Sequence, residues 1–154
     1  MKYFIVQTHK AIEDSLEING WQEKIHKNFL NPEELYKIPK RIVLKVSIRR
    51  FIPFPDLVFF PFLMVTERVY EVIKMYGEIT YSRDIILMNS DEQLYKHYYL
   101  LVLDNQSREE RLYSERNIFW TEVKGKKKLV MSFDLVESIL SRGAIGICLS
   151  NAEW

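Results

Sequence analysis

Residues that build metal and disulfide sites are scarce in this sequence. Cys148 is the only cysteine, so the chain can form no internal disulfide, a composition typical of proteins from reducing compartments. The three histidines, His9, His26 and His97, are widely separated and form no HxH or HxxxH pair. Because zinc sites need several nitrogen or sulfur ligands at short spacing, the sequence predicts no metal and no cofactor.

An excess of one charge and a long apolar run are also absent. The 22 basic residues nearly balance the 21 acidic residues, whereas a dedicated nucleic-acid binder usually carries a basic excess. The longest apolar run, residues 57–65, contains Pro61 and falls far short of the roughly 20 residues of a membrane span. The apolar run at the N-terminus is too short for a signal peptide. These features predict a soluble, cytoplasmic protein with no membrane partner, and the balanced charge argues weakly against a nucleic-acid partner.

The sequence patterns that mark many enzymes are missing too. There is no G-x-S-x-G motif and no Walker or Rossmann glycine pattern. Cys148 lies in an apolar run, which is typical of a buried, unreactive thiol. Adjacent carboxylates lie in polar segments, whereas acid–base catalysis needs one of them in an apolar pocket. We therefore predict that the protein is not an enzyme, while a site that converges from scattered positions stays open.

The pattern of apolar residues and turn formers predicts an α+β fold. A length of 154 residues suits a single domain over residues 1–154. Hairpins outnumber strand–helix–strand units, which favours a mainly antiparallel sheet of about seven strands with two or three helices. The predicted strands are residues 2–8, 42–47, 79–88, 94–103, 118–123, 128–132 and 146–149. Apolar and polar residues alternate over residues 42–47, and a polar hairpin loop at residues 89–93 joins the third and fourth strands. The predicted helices start at Asn31, at Thr66 and near Leu135. The second helix carries an apolar stripe of Val69, Val72, Ile73 and Tyr76, and Gly77 follows where a left-handed cap belongs.

Three segments are left without a helix or strand. Residues 11–31 are polar with scattered apolar positions. Residues 104–116 form the longest polar segment and are predicted to be a surface loop. Residues 51–62 contain three prolines, which remove backbone donors and favour an extended loop, and this loop should be pinned by Phe51, Phe54, Phe59 and Phe60.

The last predicted helix carries signals at both ends. Asp134 followed by Glu137 has the spacing of a capping box, which satisfies free amide groups at a helix start. Arg142 places a cation near the negative end of the helix, and Gly143 suits the left-handed turn that follows a helix. The buried side of this helix is predicted to be Leu135, Ile139 and Leu140.

The same region resembles a known family. The sequence of residues 132–147, SFDLVESILSRGAIGI, resembles the closing signature of a bacterial immunity-protein family linked to contact-dependent and polymorphic toxin systems. Residues 38–41, 54–57, 61–67 and 116–119 also resemble segments of that family. Where the family often carries two basic residues before the glycine, this chain has Ser141 and Arg142. The signature positions, which we interpret as fold determinants, are Pro39, Pro55, Asp56, Pro61, Phe62, Asp134, Glu137, Arg142, Gly143 and Gly146.

The resemblance implies a function that depends on a protein partner. Members of such a family bind a cognate toxin and block it, so we expect neutralisation of a toxin domain by occlusion, with a homo-oligomer left open. Acidic loops could meet a basic toxin surface, and a basic-aromatic cluster is the other option for the contact. The candidate contact residues are Arg49, Arg50, Phe51, Asp91, Glu92, Asp104, Glu109 and Glu110.

The alternative function is a nucleic-acid-binding or regulatory module. The one basic cluster, Lys126, Lys127 and Lys128, lies at the tip of a predicted hairpin. Together with exposed tyrosines, such as Tyr95 and Tyr98, it could contact phosphates and bases. Binding that weakens as salt rises would distinguish this alternative.

Overall fold

Alternating apolar and polar residues build the strands of this protein. In the computed structural model, which describes residues 2–48, 53–78, 80–89, 91, 93–104 and 116–152, the strand Arg41–Ile48 buries Ile42, Leu44 and Val46 and exposes the residues between them. This period of two is the geometry of a half-buried strand. The described residues form ten strands in two sheets and four α-helices. The predicted α+β class with mainly antiparallel pairing is confirmed.

A four-stranded antiparallel sheet brings the two ends of the described chain together. The strand order is β10-β1-β9-β8, and the tight turn at Lys124 and Gly125, both at positive φ, joins its β8–β9 hairpin. The strands are β1 (Tyr3–Thr8), β8 (Ile118–Val123), β9 (Lys126–Ser132) and β10 (Ile147–Asn151).

A six-stranded sheet forms the rest of the framework, in the order β2-β3-β6-β7-β5-β4. Among the described strands, β3 and β6 are the one parallel pair, and β6 and β7 form a ten-residue hairpin ladder. The strands are β2 (Leu16–Asn19), β3 (Arg41–Ile48), β4 (Leu57–Val58), β5 (Met64–Val65), β6 (Thr80–Asn89) and β7 (Leu94–Leu103).

The described helices are short, and two of them support the core. They are α1 (Lys10–Ser15), α2 (Trp21–Lys24), α3 (Glu67–Met75) and α4 (Phe133–Ser141). Helix α3 buries Val69, Val72 and Ile73 of the predicted apolar stripe, whereas Tyr76, the C-terminal cap residue, is half-buried. Gly77 beyond it has a φ of +72°. Short 3₁₀ helices occupy Lys27–Phe29 and Leu35–Lys37.

The hydrophobic core has two parts that meet at β7. One part lies between the two sheets and under α3 and α4, and it includes Leu101 and Leu103. The other lies on the opposite face of the six-stranded sheet, against the segment that holds the two 3₁₀ helices, and it includes Leu100 and Val102. Because β7 is buried on both faces here, its sequence is a continuous apolar run without alternation.

The structure corrects the sequence predictions in several places. There are two sheets and ten described strands, against one sheet of about seven. Residues 11–31 contain α1, β2 and α2, and the predicted loop of residues 51–62 contains β4. Asn31 Oδ1 does accept the Glu34 amide at 2.9 Å, but only the 3₁₀ helix Leu35–Lys37 follows, because Pro39 and β3 come immediately after. Most of the predicted loop at residues 104–116 lies outside the described residues.

Candidate functional site

Three of the segments that resemble the immunity family meet at one buried carboxylate. Asp56 is only 6% exposed. Its Oδ1 accepts the Thr66 hydroxyl at 2.6 Å, and its Oδ2 accepts the Ile145 amide at 2.7 Å. Backbone hydrogen bonds join the same residues, since Asp56 N donates to Ile145 O at 2.9 Å and Thr66 N donates to Asp56 O at 3.0 Å. Asp56 thereby joins the start of α3 to the loop after α4.

Close packing completes this region, which we call the Asp56 junction (Pro55, Asp56, Thr66, Ile145 and Gly146). Gly146 has a φ of +80°, and a Cβ at this position would collide with Pro55. The fully buried Tyr98 donates its hydroxyl to the Pro55 carbonyl at 2.5 Å. Burial, and secondarily the Asp56 charge, raises the pKa of Tyr98 well above its usual value. The earlier expectation that Tyr98 is exposed is therefore wrong.

Two arginines lie at the solvent edge of the Asp56 junction. Arg68 Nη1 donates to the Gly143 carbonyl at 2.8 Å and lies 4.0 Å from Asp56 Oδ2. Arg142 is the C-terminal cap of α4, and its Nη2 contacts the Met75 sulfur at 3.3 Å. Gly143 follows with a φ of +83°, which confirms the predicted left-handed turn. Carboxylates as well as cationic side chains line the depression beside these arginines, so its charge has no single sign.

The start of α4 differs from the predicted capping box. The N-terminal cap is Ser132, whose Oγ accepts the Leu135 amide at 3.2 Å and donates to Asn117 Oδ1 at 2.7 Å. Asp134 lies in the first turn, where a carboxylate suits the positive helix end, and Glu137 is exposed. Leu140 is 42% exposed, so its predicted burial is wrong.

The remaining signature positions are also divided between core and surface. Pro61 and Phe62 are buried, whereas Pro39 is exposed just before β3. Thr66 is the N-terminal cap residue of α3 as predicted, but its hydroxyl donates to Asp56 instead of capping the helix. The interpretation of the signature as fold determinants stays a prediction, and Pro55, Asp56 and Gly146 are the signature positions that lie in the Asp56 junction.

The predicted contact residues are not brought together where the structure describes them. Asp91 is exposed in the β6–β7 turn, and Asp104 is half-buried after the other end of β7. A ten-residue strand separates them by about 30 Å at ~3.4 Å per residue. The other candidates, Arg49, Arg50, Phe51, Glu92, Glu109 and Glu110, lie outside the described residues.

A solvent-open apolar groove of about 390 Å³ lies elsewhere, at the C-terminal end of β7, and residues from both parts of the core line it. Its floor comes from β7 and from the loop between β4 and β5, and Trp120 of β8 forms one wall. The exposed Phe60, at 61%, stands on the rim, so it does not pin its loop as predicted. The lining residues are Lys27, Leu30, Phe59, Phe60, Pro61, Phe62, Leu63, Leu100, Leu101, Val102, Leu103, Trp120 and Lys127.

Two lysines hold their ammonium groups over aromatic rings at the rim of the apolar groove. Lys27 Nζ lies 5.2 Å from the Trp21 ring centre and 5.4 Å from that of Phe60. Lys127 Nζ lies 4.5 Å from the ring centre of Trp120. These are favourable cation–π geometries. Although Lys127 is an exposed residue, burial of its ammonium group beside Trp120 lowers the pKa of that group.

The apolar groove has a single sign of charge in the described structure. Both charged residues that line it are lysines, and none of its lining residues is acidic. Such a surface suits an apolar ligand that carries negative charge at its edges. Within the described ranges, no group of three or more His, Cys, Asp and Glu side chains is placed to hold a metal ion.

Sequence reasoning identified Lys127 but missed the apolar groove. Phe59 and Phe60 were noticed only as anchors of a loop, and Trp120 and Lys27 were not singled out. The groove joins segments that are distant in sequence, so no local spacing marks it. The available signal was the high aromatic content, with nine tyrosines, nine phenylalanines and three tryptophans, because aromatic residues serve recognition surfaces as well as cores.

Comparisons with known proteins add no assignment. No protein-family model matches the chain, and no curated protein matches it. Among the described helices, none has the length and apolar character needed to cross a membrane.

Proposed function

We propose that the protein is an immunity protein, which binds a cognate bacterial toxin domain in the cytoplasm and blocks it by occlusion without catalysing a reaction. The resemblance of residues 132–147 and of the segment around Asp56 supports this proposal. Distant segments of the resemblance pack together at the Asp56 junction, which is how fold determinants of one family are expected to behave. The partner is then a protein, and its contact surface lies outside the buried part of this junction.

The observation that carries a binding function is the apolar groove with Phe60 on its rim. Protein interfaces depend on a few aromatic or cationic anchors that fill pockets and exclude water. The groove supplies such a pocket, and the rings beside it hold two cations in place. An interface of standard size, about 1,600 Å² in total, would extend beyond the groove over the neighbouring surface.

The alternative, a nucleic-acid-binding module, has less support. Tyr98 is buried in the core and cannot contact a base. Lys127 lies over the Trp120 ring, on a face that a base would otherwise use for stacking. A net charge of +1 also provides little general attraction for phosphates.

The proposal is tested with the product of the adjacent upstream gene. We expect its C-terminal domain to be toxic when produced alone, co-production of this protein to restore growth, and the two purified proteins to form a stable complex. The proposal is wrong if that gene encodes no toxin-like domain, or if the domain is toxic and this protein neither binds it nor restores growth.

A further inference from the structure

The two lysines at the rim of the apolar groove lack acidic partners in the described part of the chain. The described ion pairs involve other residues, and no carboxylate lines the groove. The rings of Trp21, Phe60 and Trp120 nevertheless hold both ammonium groups in position. Both cations are therefore held in place, and no described carboxylate lies within ion-pair distance of either. Glu122 is the cross-strand neighbour of Lys127 in the β8–β9 ladder, but the two form no described ion pair.

A carboxylate from a partner would relieve a cost that the folded protein carries. Burial beside Trp120 disfavours the charged form of Lys127, as the direction of its pKa shift indicates. A negative group placed beside this ammonium would stabilise the charged form in surroundings that are poorer in water than the open surface. Lys27 offers a second positive group on the same groove.

The floor between the lysines suits an apolar side chain. Leu63, Leu101 and Leu103 belong to the core between the sheets, and each is at most 4% exposed. Phe59 and Trp120 close one side with an edge-to-face contact of 5.5 Å between ring centres. The floor itself is therefore already shielded from water, and an aromatic or large aliphatic group would instead cover the partly exposed rings of Phe59, Phe60 and Trp120.

We propose that the apolar groove receives a segment of the toxin domain in which a large apolar side chain is flanked by carboxylates. The apolar side chain enters the groove, and the carboxylates pair with Lys27 and Lys127. This inference rests on the proposed function and adds the chemistry of the partner. The acidic side of the interface then lies on the toxin. The sequence had instead suggested that acidic loops of this chain meet a basic toxin surface.

A protein segment fits the apolar groove better than a nucleic acid does. Single-stranded nucleic acids need ring faces for base stacking and many phosphate contacts for affinity. Here the Trp120 ring has Lys127 over it and Phe59 against its edge. Among the residues that the structure describes, only two cations line the groove, and the rest of its lining is apolar.

The test measures affinity for the catalytically inactivated toxin domain by titration calorimetry. We expect the double variant Lys27→Glu and Lys127→Glu to weaken binding by at least about 30-fold, because the introduced carboxylates would repel those of the partner instead of pairing with them. Lys127→Met keeps an apolar stem over Trp120 and should weaken binding through loss of charge alone. The matched control is Lys126→Glu, on the same strand but outside the groove, for which we expect a change below about fivefold.

A chemical readout locates the carboxylate directly. A carbodiimide activates a carboxyl group of the toxin domain, and the neutral amine of Lys127 should displace the resulting urea to form an amide bond with that Asp or Glu. Mass spectrometry should place the cross-linked residue next to a large apolar one. Far-ultraviolet circular dichroism and a urea midpoint equal to wild type show that each variant is folded.

The outcomes separate the two proposals. If the wild type binds and neutralises the toxin while the double variant binds equally well, the groove inference is wrong and the proposed function stands. If the wild type does not bind the toxin domain, both are wrong. If the wild type binds a single-stranded oligonucleotide and the double variant does not, the nucleic-acid alternative replaces this inference.

Discussion

Replacement of Asp56 is the sharpest test of the Asp56 junction. Asp56→Ala removes the acceptor of two hydrogen bonds and leaves the Thr66 hydroxyl, in a residue only 2% exposed, and the Ile145 amide without their partner. A hydrogen bond to a charged group contributes about 1.5–3 kcal/mol. We therefore expect Asp56→Ala to lower the free energy of unfolding by about 3–5 kcal/mol, which is a large part of the roughly 5–15 kcal/mol of a typical domain.

The amide variant separates charge from shape. Asp56→Asn keeps one acceptor oxygen but turns an NH₂ group towards the second donor, so we expect a loss of about 1.5–3 kcal/mol. Asp84→Asn is the matched control, because Asp84 is 33% exposed and its oxygens lie 3.6 Å from Arg41 Nη2 and from His97 Nε2. Loss of these exposed pairs should cost less than about 1 kcal/mol.

Urea denaturation followed by tryptophan fluorescence gives the free energies of unfolding by linear extrapolation. Hydrogen exchange gives a local readout, because the Ile145 amide should exchange faster in both Asp56 variants. A loss below about 1 kcal/mol for Asp56→Ala, or a loss equal to that of Asp84→Asn, would refute the idea that this carboxylate holds the junction together.

Three further predictions follow from the same structure. Gly146→Ala should lower the free energy of unfolding by about 2–5 kcal/mol, because the added Cβ collides with Pro55 at a position that already has an unfavourable positive φ. The control Gly125→Ala, with a φ of +77° and open space around it, should lower the free energy of unfolding by about 1–2 kcal/mol, so equal urea midpoints for the two variants would contradict this prediction. Ser132→Ala should lower the free energy of unfolding by about 2 kcal/mol, since Ser132 caps α4 and donates a further hydrogen bond to Asn117. Asp134→Ala should lower it by less than about 1 kcal/mol, and a larger loss for Asp134→Ala than for Ser132→Ala would indicate that Asp134 is the cap after all. In the folded protein Tyr98 should stay protonated above the ordinary tyrosine pKa of 10.0. Above that pH the unfolded chain binds fewer protons at Tyr98 than the folded chain, so the free energy of unfolding should fall as the pH rises further. An ultraviolet titration in which all tyrosines of the folded protein ionise together would contradict this prediction.

Local patterns in the sequence determined most of the individual elements. Alternation identified β3, a polar turn between apolar runs identified the β6–β7 hairpin, and the stripe of α3 was placed correctly. Gly77 and Gly143 were recognised as left-handed residues after helices. These features depend on residues close in sequence, which is why spacing and composition were enough to predict them. The two-residue strands β4 and β5 were not predicted, since segments of this length are too short to show an alternation of apolar and polar residues.

Only the tertiary structure decided how the sheets divide and where a partner could bind. Asp56 was noticed as a signature position, but its acceptance of the Ile145 amide spans 89 residues of sequence. The apolar groove likewise depends on the packing of β7 and β8 against the loop between β4 and β5. Contacts of this kind come from the way whole elements bury their apolar faces, and no local spacing encodes them. The sequence by itself therefore determined most of the longer elements, whereas the packing of the sheets created the Asp56 junction and the groove.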